Sequence, residues 1–161
     1  MVFEDNYFAR EVIKEYDNGG VVEVYKMVDK NASDYDKIFA SCDYFAKQGE
    51  KTVILPKAHH KEPLYKEAFR GIAGTKYDWK CPDFKVGENY YEHEGYTTNN
   101  AVNAFCNMIS AGIKQSDRIV IDDCGISRRW AQRYLQTRVQ NGDIIKEVWV
   151  LERDRRLTRL F

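Results

Sequence analysis

The stretch "EVIKEYDNGGVVEVYKMV", from Glu11 to Val28, alternates apolar and polar residues on both sides of Asp17-Asn18-Gly19-Gly20. Alternation puts one set of side chains on each face of a strand, and the paired glycines supply the positive φ that a tight turn needs, so the segment is a β-hairpin. The next segment, "NASDYDKIFASCDYFAKQGEKTVILP", changes period. Tyr35, Ile38, Phe39, Cys42 and Phe45 recur at helical spacing, Ser33 is the expected N-cap with Asp36 three residues on, and Gly49 stops the helix. Thr52 to Leu55 is then a short apolar strand. A hairpin that runs into a strand, helix, strand step cannot be all-parallel. The expectation is an α+β fold with a mixed, largely antiparallel β-sheet and helices packed on it.

The remainder extends this pattern. From Pro56 to Trp79 the chain is a long connection with a short helix near "PLYKEAFRGI". "CPDFKVGENYYEHEGY" reads as two strands around Gly87-Glu88-Asn89, with the Pro82-Asp83 pair on the first. "TTNNAVNAFCNMISAGIKQ" is a helix capped by Thr98 or Asn99, its apolar face made of Val102, Phe105, Cys106, Ile109 and Ile113. "DRIVIDD" is a buried strand, "ISRRWAQRYLQTRVQNG" a helix ending at Gly142, and "IIKEVWVLER" with "RLTRLF" give one or two last strands. At 161 residues the expectation is a single domain over 1–161, with a hairpin over 1–28 and a core over 33–161.

Charge separates the ends of the chain. Net charge is zero, yet between Gly125 and Phe161 nine Arg and Lys face four acids, so the C-terminal quarter is +5 and the rest −5. Eight of the nine cations are arginine, whose planar fork suits phosphate. Four dispersed cysteines, Cys42, Cys81, Cys106 and Cys124, form no zinc-ligand pattern and read as reduced thiols. No signal peptide and no apolar run of about 18 residues occurs. The expected site of action is cytoplasmic, with no membrane partner.

Several residue groups carry chemistry. If the turn is centred on Gly87-Glu88-Asn89, Asp83 and Glu92 face each other on adjacent strands. Glu92 and Glu94 share a face, and His93 points the other way. Carboxylates gathered in this way repel unless a cation, a basic group or a shared proton offsets them. A solvated hairpin with scattered acids has the same sequence, so both readings stand. His59 and His60 titrate near neutrality, as a general acid or base requires; exposed loop histidines look no different. Lys80 and the Thr97-Thr98-Asn99-Asn100 cluster lie at the two ends of the hairpin. A helix start of that kind is both a cap and a place to hold phosphate. Gln115 and Arg118 lie at the entry of the "RIVID" strand, and Asp122-Asp123 at its exit, a ligand position in open sheets as well as an ordinary loop start.

Taken in order, "VILPK", "CPDFKVGENYYEHE" and "TTNNAVNAFCNMISAGIKQSDRIVIDD" resemble the C-terminal nuclease domains of bacterial contact-dependent growth-inhibition and related polymorphic toxins, and their phage-encoded relatives. The resemblance spans Thr52 to Asp123. It implies a ribonuclease of the group likened to barnase, EndoU, colicin and RelE-type folds, acting on RNA and often on tRNA, without a cofactor, and with a cognate immunity protein as partner. Carried over, His59 or His60 would be the acid or base, Lys80 and Arg118 would stabilise phosphorane charge, and Thr98 would orient the phosphate. Asp83 and Glu92 match acidic positions of the pattern. Lys85, Asn100, Arg128, Arg129 and Arg156 are the substrate-binding candidates. Where the pattern has lysine, this chain has Glu94, an anion where phosphate would expect a cation. The same residues also resemble the Pro-Asp…Glu-x-Lys pattern of metal-dependent nucleases on DNA, in which Asp83, Glu92 and Glu94 would bind Mg²⁺. A third reading keeps the fold as an inactive binding or structural module.

Overall fold

The computed structural model describes residues 8–161; the first seven residues of the expected 1–28 hairpin segment lie outside them. The chain divides into two compact units, Met1–Tyr90 and Tyr91–Phe161.

In the first unit, β1 (Arg10–Glu15) and β2 (Val21–Tyr25) form the expected hairpin, with a register shift between Val12 and Lys14. Gly19 has φ 91°, and Gly20 donates its N–H to Asn18 Oδ1 at 3.0 Å. A Cβ on Gly20 would lie 1.6 Å from the Ala46 carbonyl oxygen, so this turn position admits only glycine. β2 pairs in parallel with β3 (Lys51–Ile54). Between them runs α1 (Tyr35–Lys47), whose N-cap is Asp34, not Ser33, and makes no side-chain cap bond. β4 (Phe84–Val86) is antiparallel to β3. Asp83 therefore precedes β4, where the sequence placed it on a strand.

Strand alternation sorts this unit's core. Val22, Val24, Ile54 and Phe84 are buried, as are Ile38, Cys42 and Phe45 of α1. Tyr25, Val53 and Leu55 belong to a second cluster with Leu64, Tyr65, Ala68, Phe69 and Ile72. Those last residues come from α2 (Pro63–Ala68), the 3-10 turn Arg70–Ile72 and Phe69 between them. Each buried Val, Leu, Ile or Phe side chain among them contributes about 1.5–3 kcal/mol by leaving water.

β5 (Asn89–Glu94) leads into the second unit. It pairs in parallel with β6 (Arg118–Asp122), β6 in parallel with β7 (Glu147–Leu151), and β7 antiparallel with β8 (Leu157–Arg159). α3 (Ala101–Gly112) and α4 (Arg128–Gln140) are the two crossovers. The α+β class with a mixed sheet holds. Asn100, not Thr98 or Asn99, caps α3, accepting from the Asn103 N–H at 3.0 Å. The buried face of α3 is Ala104, Phe105, Met108, Ile109 and Gly112, rotated from the expected one, and Val102 is 41% exposed. Gly112 sets this face: a Cβ there would meet Ile119 Cγ2 at 2.9 Å. No helix among the described residues is long and apolar enough to cross a membrane.

Candidate functional site

Two segments of the first unit run side by side and gather its chemistry. The Leu55 N–H donates to the Asp83 carbonyl at 3.0 Å. Lys57 Nζ donates to both the Cys81 carbonyl and Asp83 Oδ1, each at 2.8 Å. Cys81 Sγ donates to the Ala58 carbonyl at 3.3 Å, and the Tyr65 hydroxyl to the Lys80 carbonyl at 2.7 Å. Residues 55–60 are thereby fixed against residues 79–83, and His59, His60, Lys80 and Asp83 fall within them.

The outer part of this assembly is an aromatic stack. The His60 ring lies 4.3 Å from that of His59 and 4.3 Å from that of Trp79, with interplanar angles of 30° and 20°. Trp79 is 68% exposed and holds φ at 72°, a conformation that costs a bulky residue about 1–3 kcal/mol. Asp78 braces it: one carboxylate oxygen accepts from the Trp79 N–H and the other from the Gly74 N–H, both at 3.1 Å. Loss of water around the ring, and then the fields of His59 and Lys61, hold the His60 imidazole below its ordinary value of 6.5. His59 Nδ1 accepts from the Lys61 N–H at 3.2 Å, which puts the ring proton of a neutral His59 on Nε2.

Inside the same assembly, Asp83 is 3% exposed and bound to Lys57, which also lines a cavity of about 310 Å³ with it. Lys80 makes no ion pair among the described residues. Lys85 pairs with Glu88 at 3.6 Å.

The other candidates lie in the second unit. Glu92 is buried. The Arg118 guanidinium is bound to Glu147 at 2.5 Å and Asp117 at 3.3 Å. Glu147 also accepts from the Tyr91 hydroxyl at 2.9 Å and Trp149 Nε1 at 2.9 Å. Burial raises the Glu147 carboxyl, but the bonds from Trp149, Tyr91 and Arg118 outweigh it and hold the group below its ordinary value. Arg128 binds Glu152 and Thr158, and Arg156 binds Asp154. Arg129 is exposed, with no carboxylate partner among the described residues. Thr98 Oγ1 accepts from the Asn100 N–H at 3.4 Å. Among the described residues, no three His, Cys, Asp or Glu side chains group as metal ligands.

Sequence reasoning passed over three groups. Lys57 stands in the quoted "VILPK", and its role follows only from the β3 and β4 pairing. Trp79 gave no signal beyond being a lone aromatic before Lys80. His93, read as pointing away from the acids, bonds Asp122 through Nε2 at 2.8 Å in a buried pair at the exits of two parallel strands.

No protein-family model matches the chain, and no curated protein matches it. Among solved structures it is similar to a chain of the "CdiA-CT/CdiI toxin and immunity complex from Burkholderia pseudomallei", at 16% identity and a TM-score of 0.46, over 82% of this chain and 87% of that one.

Proposed function

We propose that the chain is a ribonuclease domain of the toxin class, acting on tRNA-like RNA without a metal, with its site on the assembly of residues 55–60 and 79–83. The observation that carries this reading is the imidazole of His60, held between His59 and an exposed Trp79 and depressed below its ordinary pKa. Exposed aromatic rings are stacking platforms for unpaired bases, and an imidazole that stays neutral is a base at physiological pH. The sequence resemblance of Thr52 to Asp123 supports the same class.

In this reading His60 takes the proton of a ribose 2′-hydroxyl. The 2′-oxygen bonds to phosphorus as the bond from phosphorus to the 5′-oxygen breaks, and the proton returns from His60 to that departing oxygen. The products are a 2′,3′-cyclic phosphate and a 5′-hydroxyl. Lys80 faces the phosphorane charge, and His59 offers its Nε2–H to a phosphate oxygen. Asp83 fixes Lys57 and the strand entry. A cognate immunity protein would cover this surface.

The test is cleavage of total tRNA by the purified protein, with Mg²⁺ and with EDTA. Cutting in both is expected. His60→Ala should lower the rate about 10²–10⁴-fold, and Trp79→Ala should weaken binding about tenfold. The acid limb of the rate profile should have its midpoint below 6.5. Cutting lost in EDTA would replace this reading by the metal-dependent one, and no cutting at all by the inactive module.

A further inference from the structure

The cavity beside the Lys57 and Asp83 pair measures about 310 Å³, at the small end of ligand pockets, which run from about 300 to 1,000 Å³. That size suits one heterocycle better than a larger cofactor. Its walls include Tyr35, Ile38 and Ile54, and Met27, 55% exposed, also lines it. An uncharged planar body is therefore favoured.

The charged lining is three carboxylates, Asp29, Asp34 and Asp83, against one ammonium, Lys57. Asp83 is engaged by Lys57, and Asp29 accepts from the Asn31 N–H at 2.9 Å. Asp34 is the N-cap of α1 yet makes no side-chain cap bond, so its carboxylate is an acceptor for a ligand. A carboxylate only accepts, and with Lys57 held by Asp83 the remaining acids, Asp29 and Asp34, disfavour a phosphate. A ligand here should present N–H donors on an apolar ring.

We propose that this cavity is a base subsite that takes a nucleobase carrying an exocyclic amino group, cytosine over uracil, with Asp34 as the discriminating acceptor. It rests on the RNA reading for the identity of the ligand; the cavity and its acceptors do not depend on that reading. Cytosine places an N4–H₂ donor where uracil places the lone pairs of O4. Facing a carboxylate, the first makes a hydrogen bond and the second a repulsion. An asparagine at position 34 could turn its own N–H₂ toward O4, so Asp34→Asn should admit uracil.

The experiment titrates the whole protein with cytidine and with uridine, following methyl signals by NMR. Cytidine is expected to shift the signals of Met27, Ile38 and Ile54 and to bind about tenfold tighter than uridine. Asp34→Asn should bring the two affinities together while leaving the melting temperature in place. Equal binding of both nucleosides, shifts elsewhere, no binding, or a preference that survives Asp34→Asn would each overturn the subsite. Cleavage assays on cytidine-rich and uridine-rich RNA separate the two proposals. RNA cut without preference would sink the subsite and leave the ribonuclease standing. Cytidine seated in the cavity of a protein that cuts no RNA would do the reverse.

Discussion

At the scale of single residues, burial decides what a charge is worth. Asp83 has a side chain 3% exposed, whereas that of Lys57 is 63% exposed. The lysine gives up little by releasing the pair, but the carboxylate has no water to fall back on. Lys57→Met should therefore destabilise the protein by about 1–3 kcal/mol, read as a lower urea midpoint. Adding Asp83→Asn should cost less than the two single changes summed, because the two groups are in direct contact and the second change removes the buried charge that Lys57 balanced. Asp83 was legible as a site residue from its Pro-Asp context, but its partner was not. The two stand 26 residues apart and meet only because β3 and β4 pair with Ile54 opposite Phe84. The His93 and Asp122 pair escaped for the same reason: alternation showed which face the histidine takes, and only the β5 and β6 register says what else is on it.

At the scale of elements, the sequence located nearly every helix and strand but not their ends or their rotation. Thr98, Asn99 and Asn100 are all good caps, and composition cannot choose among them. Asn100 is chosen because its side chain reaches the Asn103 N–H. Asn100→Ala should then cost about 1 kcal/mol, whereas Asn99→Ala should stay within about 0.5 kcal/mol, both measured by chemical denaturation. The rotation of α3 has a similar origin. Counting large apolar residues favoured a face containing Val102 and Ile113. The observed face includes the small residues Ala104 and Gly112, and at Gly112 the missing side chain lets the helix approach Ile119 of β6. Periodicity counts bulk, and a close approach is made where bulk is missing.

At the scale of the whole molecule, a net charge of zero says little about how stability responds to pH. The groups that matter are those whose surroundings change on folding. Glu147 is held below its ordinary value of 4.5 in the folded protein. The unfolded chain therefore takes up the proton first, and the stabilisation, complete above 4.5, is lost as pH falls through the folded value. Tyr25, Tyr65 and Tyr91 shift the other way. Burial comes first for each, followed by Glu67 for Tyr25 and by Glu147 for Tyr91, while Tyr65 is pushed up to about 12. Their folded values lie above the ordinary 10.0, so the unfolded chain loses its protons first. Stability is complete below 10.0 and falls as pH rises toward the folded values. The urea midpoint should thus fall on the acid side as Glu147 is protonated and on the alkaline side as the tyrosines ionise, the alkaline fall setting in near 9 because burial also pushes the Cys42 thiol above its ordinary value of 9.0. Tyr91→Phe should flatten part of the alkaline fall. It should also change the acid limb, because Glu147 loses one of the donors that hold its carboxyl down. An alkaline limb unchanged in Tyr91→Phe would mean that the Tyr91 hydroxyl is as well solvated in the folded protein as in the unfolded chain.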